Sequence, residues 1–280
     1  MLLIKLNHES LKIIDIIDEG RDVKTFLFDK DIRTTPGRFV LAGTKDGEKP
    51  FAISYERPLG ITIKRIEKDP NKPEKGKFTN STFGLDVGGR MIITGPLGNG
   101  FPVHMFKRGI GFIEGGGTGI APLGLIPEQA KYPSLKLVTF LGAKTSEDLI
   151  MEDRFRGTEL HIVTEDGSKG ERGLITQPLR KYYEEAKARL NPETKLKLYC
   201  CGPEKMEYNV AKVSKGFIDP DDMYFSLERL MRCGIGYCGS CVCGDKRICV
   251  NGPVFTYSQL ENNPDFGFSK RDRCGRKIPL

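Results

Sequence analysis

The stretch CGIGYCGSCVCGDKRIC, residues 233–249, holds five of the chain's eight cysteines. They run Cys233-x4-Cys238-x2-Cys241, then Cys243, then Cys249. Thiols this close together either pair as disulfides or bind metal, and disulfides belong to oxidising compartments. The apolar start MLLIKL is broken by Lys5 and is too short for a signal-peptide core. No stretch approaches the ~18 apolar residues of a membrane span. A cytoplasmic setting with reduced thiols is expected, and metal binding with it. Structural zinc usually takes two separated C-x2-C-like pairs, and here there is one. The spacing C-x4-C-x2-C is instead the opening of a plant-type [2Fe–2S] site. Gly234, Gly236 and Gly239 leave that loop free to turn its N–H groups inward. The spacing leaves Cys243 open. In an extended segment it points the same way as Cys241 and competes as a ligand; otherwise it is a free thiol beside the cluster.

Two further motifs suit a nucleotide. EGGGTGIAPLG, residues 114–124, lies where a strand gives way to a helix. Glycines there admit a ligand close to the backbone, and the helix start offers N–H groups to a pyrophosphate. The dinucleotide fingerprint is incomplete, because Gly115 and Gly117 fit but Ile120 takes the third glycine position. CCGPEKM, residues 200–206, again ends a strand and opens a helix, with Pro203 suited to the first helical turn. Both motifs open on one sheet edge. Cys201 is therefore read as a site residue and Cys200 as a small buried hydrophobe.

The elements that carry these motifs fall into three parts. Short strands with Gly/Pro punctuation, from LKIIDIIDE to RMIITGPLG, predict a small antiparallel barrel over residues 1–104. The polar, Pro-rich KDPNKPEKGK interrupts it as a surface loop, followed by a single helix up to Leu85. From 105 to 222 strands and helices alternate, which predicts a parallel sheet covered on both faces. SEDLIMEDRF reads as a short helix within it. Residues 223–280 hold the cysteine loop and a tail that reads as irregular. The net charge of +7 is scattered, with no basic run of five or six, which argues against nucleic acid and allows anionic cofactors or an acidic partner.

Barrel, GGGTGIAPL and CGPEKM together resemble the ferredoxin–NADP reductase superfamily. Adding SLERLMRCGIGYCGSC…ICVNGPVF, GPLGNGF and the FGFSKRDRCGRK ending, the chain resembles the electron-transfer subunits of class B dihydroorotate dehydrogenases over nearly its whole length. The gamma subunits of cytosolic sulfhydrogenases and a subunit of anaerobic sulfite reductase share the three-part plan. A zinc-bearing interaction protein is the alternative from another class.

The resemblance implies FAD on the barrel, NAD on the α/β domain and a [2Fe–2S] cluster on Cys233, Cys238, Cys241 and Cys249, so that it selects Cys249 over Cys243. The family's flavin motif Arg-Pro-x-Ser falls on Lys49, Pro50, Phe51 and Ala52, with departures at the first and last positions. Ser54, on the same strand face as Ala52, is the candidate to replace the missing hydroxyl. The next flavin segment falls on Thr62, Ile63 and Lys64. The phosphate loop Gly-x-x-Thr falls on Gly76 to Thr79, including Phe78. The nucleotide loop falls on Gly115, Gly116, Gly117, Thr118 and Gly119, and the nicotinamide-side motif on Cys201, Gly202, Pro203 and Met206. Cys201 is expected to position the reactive carbon. In the segment KTSEDL, Lys144 and Ser146 favour a 2′-phosphate while Glu147 and Asp148 oppose it; the resemblance points to NAD. It also implies an FMN-containing catalytic partner, in an assembly of two copies of each subunit, acting in pyrimidine biosynthesis.

Overall fold

The computed structural model describes residues 7–69, 71, 75–188 and 190–280. Residues 1–6, read above as too short for a signal core, and four residues of the Pro-rich segment read as a surface loop lie outside the described residues. Six strands form the first unit: β1 His8–Gly20, β2 Val23–Phe28, β3 Phe39–Thr44, β4 Gly47–Glu56, β5 Leu59–Lys64 and, after helix α1 Lys77–Phe83, β6 Arg90–Leu97. They close as an antiparallel barrel in the order β1-β2-β5-β4-β3-β6, which leaves no strand edge unpaired. Period-2 alternation drives this closure. Phe26, Phe28, Val40, Ala42, Ile53, Ile61, Ile63 and Ile93 point inward and are almost fully buried. Helix α1 closes one end, with Phe78 stacked on Phe51 at 5.8 Å.

The second unit begins with β7 Arg108–Gly116, the short helices α2 Ile120–Leu123 and α3 Leu125–Gln129, β8 Ser134–Ala143, β9 Glu159–Thr164 and β10 Glu171–Arg172. It continues through α4 Thr176–Lys187, β11 Leu196–Cys201, α5 Glu204–Ser214 and β12 Met223–Ser226. The cysteine segment follows as a small hairpin, β13 Val242–Cys243 and β14 Lys246–Arg247, and helix α6 Ile248–Asn251. The chain ends in β15 Val254–Thr256, α7 Tyr257–Leu260 and a hairpin of β16 Ser269–Arg271 and β17 Lys277–Pro279.

The sheet order is β10-β9-β8-β7-β11-β12-β15, parallel except for β15, which runs antiparallel to β12. The stretch read as an irregular tail thus supplies the edge strand of the sheet. Residues 146–155, read as one short helix, form two 3₁₀ turns instead. Met151 between them takes a left-handed φ of 55°, which a continuous helix cannot contain. Strand β12 and strand β15 both pair within this sheet, so residues on either side of position 222 share one set of hydrogen bonds.

Alternate residues of the central strands feed two cores. Phe112, Leu198 and Cys200 face α4 and α5, while Ile113, Tyr199 and Cys201 face α2 and the barrel. Cys200 is accordingly a core residue. Glu114 is fully buried between Phe140 and Cys200, and neither carboxyl oxygen has a hydrogen-bond partner among the described residues. Burial raises its pKa well above the glutamate range, so the folded chain carries it protonated.

The native state therefore binds one more proton than the unfolded chain once pH exceeds the ordinary glutamate value. The stability associated with this proton is fully present in acid and is lost as pH rises. Glu114→Gln removes the titration. As pH rises above the ordinary glutamate value, urea denaturation should show wild type losing stability relative to the variant. Parallel slopes would refute the buried neutral acid.

Candidate functional site

In-register pairing of β7 with β11 sets Gly115 opposite Cys201. The glycine loop and the Cys-Gly-Pro turn therefore leave the sheet side by side at its carboxyl edge, where open α/β sheets bind ligands. A Cβ on Gly119 would lie 2.4 Å from the Cys201 carbonyl oxygen, so only glycine lets the two turns touch. Gly117 takes φ +53°, and the space where its side chain would be is open. This gives a bare backbone shelf beside a helical turn, and it fits a diphosphate. Gly116 packs against Pro203 and Met206, so those two residues form the far wall. Thr118 lies in the same turn and is only partly buried.

The Cys201 thiol is buried, 4.0 Å from the Ser226 carbonyl that accepts from it. Burial, and next the Glu207 carboxyl, push its pKa well up. It is a neutral packing group at this edge, not a thiolate. Gly202 donates its N–H to Glu207 Oε1 at 3.3 Å and closes the turn.

The barrel meets this edge along a polar seam. Tyr55 lies under the Arg154 guanidinium at 4.1 Å, and Gln129 donates to the Thr34 carbonyl at 3.1 Å. Glu147 and Asp148, weighed above against a 2′-phosphate, pair with Arg21 and Lys64 of the barrel at 3.5 and 3.4 Å. Ser146 donates its N–H to Ser168 Oγ at 2.7 Å, and Ser168 donates to Asp166 at 2.7 Å. Asp166 is thus the acidic group beside Ser146, one that sequence reasoning passed over.

The flavin candidates separate by location. Ser54 is fully buried and accepts from Thr62 Oγ1 at 2.8 Å, while Thr62 meets Thr25 at 2.8 Å and Thr25 donates to Glu19 at 2.7 Å. Ser54 and Thr62 therefore anchor one buried hydroxyl chain. Ile63 points into the barrel core, which leaves only its backbone for a ligand, and Lys64 is exposed. Ala52 and Pro50 sit on β4 opposite Phe39 and Leu41 of β3. Gly76 caps α1 in the left-handed region. The Thr79 hydroxyl accepts from the Ile66 N–H at 3.0 Å and donates to the Gly76 carbonyl at 3.2 Å, so it braces the loop. Lys49 is half-buried, and burial, then the charges of Arg273 and Arg232, depress its ammonium pKa. A cation in such company fits an anionic group.

The cysteines fall into two pairs. Cys238 donates its N–H to Cys233 Sγ at 3.4 Å. Gly236 donates its N–H to Cys249 Sγ at 3.2 Å, and the thiols of Cys249 and Cys241 are hydrogen-bonding neighbours. Cys238 is drawn down to about 6 by Ser240 foremost, and Cys241 to about 6 by Cys249, which is itself held up. Among the described residues no three His, Cys, Asp or Glu side chains converge as they would on a single metal ion. Two thiol pairs, each with an N–H directed at one of its sulfurs, fit two irons taking two thiolates each. Cys243 faces the other way, fully buried against Arg229 and Asn263.

Sequence reasoning also missed Arg229, which sits in SLERLMRC among apolar neighbours. Its guanidinium grips Glu204 of the Cys-Gly-Pro-Glu turn, and both side chains are almost completely buried. A Glu-Arg pair set between leucines just before the cysteine loop was the available signal.

Comparison with known proteins agrees with this geometry. Residues 228–261 match the model of the iron-sulfur cluster binding domain of dihydroorotate dehydrogenase B, and residues 114–212 match the oxidoreductase NAD-binding domain. A Thermoplasma acidophilum protein named "Probable dihydroorotate dehydrogenase B (NAD(+)), electron transfer subunit" is 36% identical over 272 residues, covering 96% of this chain and 98% of that one. Its Methanothermobacter thermautotrophicus counterpart is 34% identical, with 97% of each chain covered. The Lysinibacillus sphaericus dihydroorotate dehydrogenase B (NAD(+)) electron transfer subunit is 35% identical over 79% of this chain and 85% of that one. Among solved structures, an NADH-dependent reduced ferredoxin-NADP oxidoreductase aligns with a TM-score of 0.72 at 24% identity, over 89% of this chain and 88% of that one, and shares the fold. No helix among the described residues is long and apolar enough to cross a membrane. The matching domains and the reductase fold support FAD, a [2Fe–2S] cluster and NAD as cofactors of an oxidoreductase subunit. The chain belongs to the electron transfer subunits of NAD(+)-dependent dihydroorotate dehydrogenase B.

Proposed function

We propose that this chain carries electrons from an FMN-containing catalytic subunit that oxidises dihydroorotate, through a cluster on Cys233, Cys238, Cys241 and Cys249 and an FAD on the barrel, to NAD⁺ at the Gly115–Gly119 edge. The assembly holds two copies of each subunit and serves cytoplasmic pyrimidine biosynthesis. The observation that carries the reading is the two-by-two arrangement of four thiols, with Cys238 at the surface, in a segment tied by the Arg229–Glu204 pair to the turn beside the nucleotide shelf. A cluster exchanges single electrons, a nicotinamide a hydride, and a flavin either.

The chain's own residues bind, orient and shield. Gly117 and Gly119 admit the diphosphate to the backbone, and Met206 and Pro203 wall the turn. Cys201, held neutral, would help position a bound nicotinamide by packing, without offering it a thiolate. Lys49 answers the flavin's phosphates from the barrel, and the phosphate loop of Gly76, Phe78 and Thr79 closes over that end. Asp166 and Ser168 accept ribose hydroxyls and oppose a 2′-phosphate, which favours NAD. The corresponding division is residues 1–104 for flavin, 105–222 for NAD and 223–280 for the cluster, with β12 and β15 of the last part lending strands to the nucleotide sheet.

The partner docks over the cluster. Cys238 is exposed, and around it Tyr237, Ile235 and Val250 present apolar surface, with Tyr237 88% exposed. An exposed aromatic at the centre of an apolar patch is the usual anchor of a protein interface.

Three outcomes test this reading. The chain purified anaerobically with its partner should reduce NAD⁺ on addition of dihydroorotate, with FMN in the partner; a nickel–iron or sirohaem partner and no such activity would transfer the relay to hydrogen or sulfite metabolism. Tyr237→Ala should weaken subunit association roughly tenfold or more, read by analytical ultracentrifugation, while leaving flavin and cluster in place. Gly119→Ala should raise the Kd for NADH at least about tenfold because the two turns must separate; unchanged titration of flavin fluorescence by NADH would place the nucleotide elsewhere.

A further inference from the structure

Cys243 is the thiol that the ligand set leaves over. It ends β13 two residues beyond Cys241, and its side chain is fully buried. Nη2 of Arg229 donates to its Sγ at 3.3 Å, and the thiol donates to Oδ1 of Asn263 at 3.6 Å. Asn263 Nδ2 donates to the Cys243 carbonyl at 3.0 Å, so one side chain holds both ends of the residue.

Arg229 is itself immobilised. Its Nη2 donates to Glu204 Oε1 at 2.7 Å and to the Ser269 carbonyl at 3.2 Å, and its Nη1 donates to Glu204 Oε2 and, at 3.0 Å, to the Glu228 carbonyl. Glu204 Oε1 accepts the Gly267 N–H at 2.9 Å as well. Next to them Asp265 accepts from the Gly244 N–H at 2.9 Å and from Ser269 Oγ at 2.7 Å. Four segments therefore close around one sulfur: the start of α5, the linker after β12, the cluster hairpin and the tail.

We propose that Arg229 and Asn263 are positioning residues that sequester Cys243 from the iron–sulfur site and thereby make Cys249 its fourth ligand. Along the chain Cys243 is the nearer competitor, two residues from Cys241 where Cys249 is eight away. Turning its sulfur to the cluster means breaking both bonds and drawing a fully buried side chain out of its packing between Arg229 and Asn263. Cys249 already accepts an N–H from the cluster loop, that of Gly236. This inference rests on the ligand reading proposed above.

The test uses the full chain, reconstituted anaerobically with iron and sulfide, reduced with dithionite and read by EPR. Cys241→Ser and Cys249→Ser should each lose the [2Fe–2S] signal. Asn263→Ala alone should keep the wild-type signal. Cys249→Ser combined with Asn263→Ala should regain a signal with shifted g-values, as the Cys243 sulfur loses its proton to solvent and forms the missing bond to iron. Adding Cys243→Ala to that pair should abolish it. Arg229→Lys in place of Asn263→Ala, with bound FAD as the check on folding, should act the same way. A Cys249→Ser signal that depends on Cys243 would show that the thiol was never withheld. A double variant that folds, binds FAD and regains nothing would show that these side chains are not what withholds it. Either result overturns the proposal. An unchanged signal in Cys241→Ser would instead sink the ligand assignment beneath it.

Discussion

The ion pair between Glu204 and Arg229 holds the cluster segment to the nucleotide-binding sheet. Two opposite charges, both almost completely out of water, are far costlier to separate than an exposed pair. Removing one partner of such a pair typically costs about 3–5 kcal/mol, because the other charge is left buried alone. Glu204 also belongs to the turn that follows Cys201, Gly202 and Pro203, in the first turn of α5 where a carboxylate suits the helix dipole. One interaction thus fixes where the nicotinamide edge ends and where the cysteine loop begins. The tail adds its own grip through Gly267 and Ser269.

The barrel is held to the same body by other means. Asn99 exchanges two hydrogen bonds with Val254 of the edge strand, at 2.8 and 2.9 Å, in the manner of one more strand residue. Tyr55 and Arg154 cover the seam near the glycine loop, and Leu41 and Leu97 of the barrel pack into the core that contains Cys241 and Cys249. Barrel, nucleotide edge and cysteine loop are therefore neighbours of one another, as the relay proposed above requires.

Much of this was legible in the sequence, for identifiable reasons. Barrel strands announced themselves as short apolar runs with Gly/Pro punctuation, as in VKTFLF and GITIK, because each must be brief enough to turn within a small barrel. The cysteine spacing was legible because a cluster imposes its own geometry on the loop. The pairing of β12 with β15 was not. It joins segments that enclose residues 227–253, and VFT is too short to be read as a strand without its neighbour. The stretch 146–155 misled because Leu149, Ile150 and Phe155 carry apolar spacing suited to a helix, while the chain spends it on two tight turns. Among candidate site residues, the glycines and cysteines stood out by type and spacing. Ser54 and Thr62 did not, since a hydroxyl that serves a ligand and one that serves a buried chain look alike until their partners are known. The orientation of Cys243 needed the tail to be in place, and nothing local to VCG encodes it.

The cysteine loop is an excursion between two strands that hydrogen-bond to each other, with Leu227 donating its N–H to the Pro253 carbonyl at 3.0 Å where the two ends meet. During synthesis the sheet up to β12 emerges first, with one side still unpaired. The strand that covers this side is made only after all five clustered cysteines have left the ribosome. Domains generally fold as units as they emerge, and open sheet edges are the species that aggregate. The chain's order of elements therefore ties two maturation events together in time: the open side of β12 is covered in the same short stretch of translation that makes the clustered cysteines available for metal.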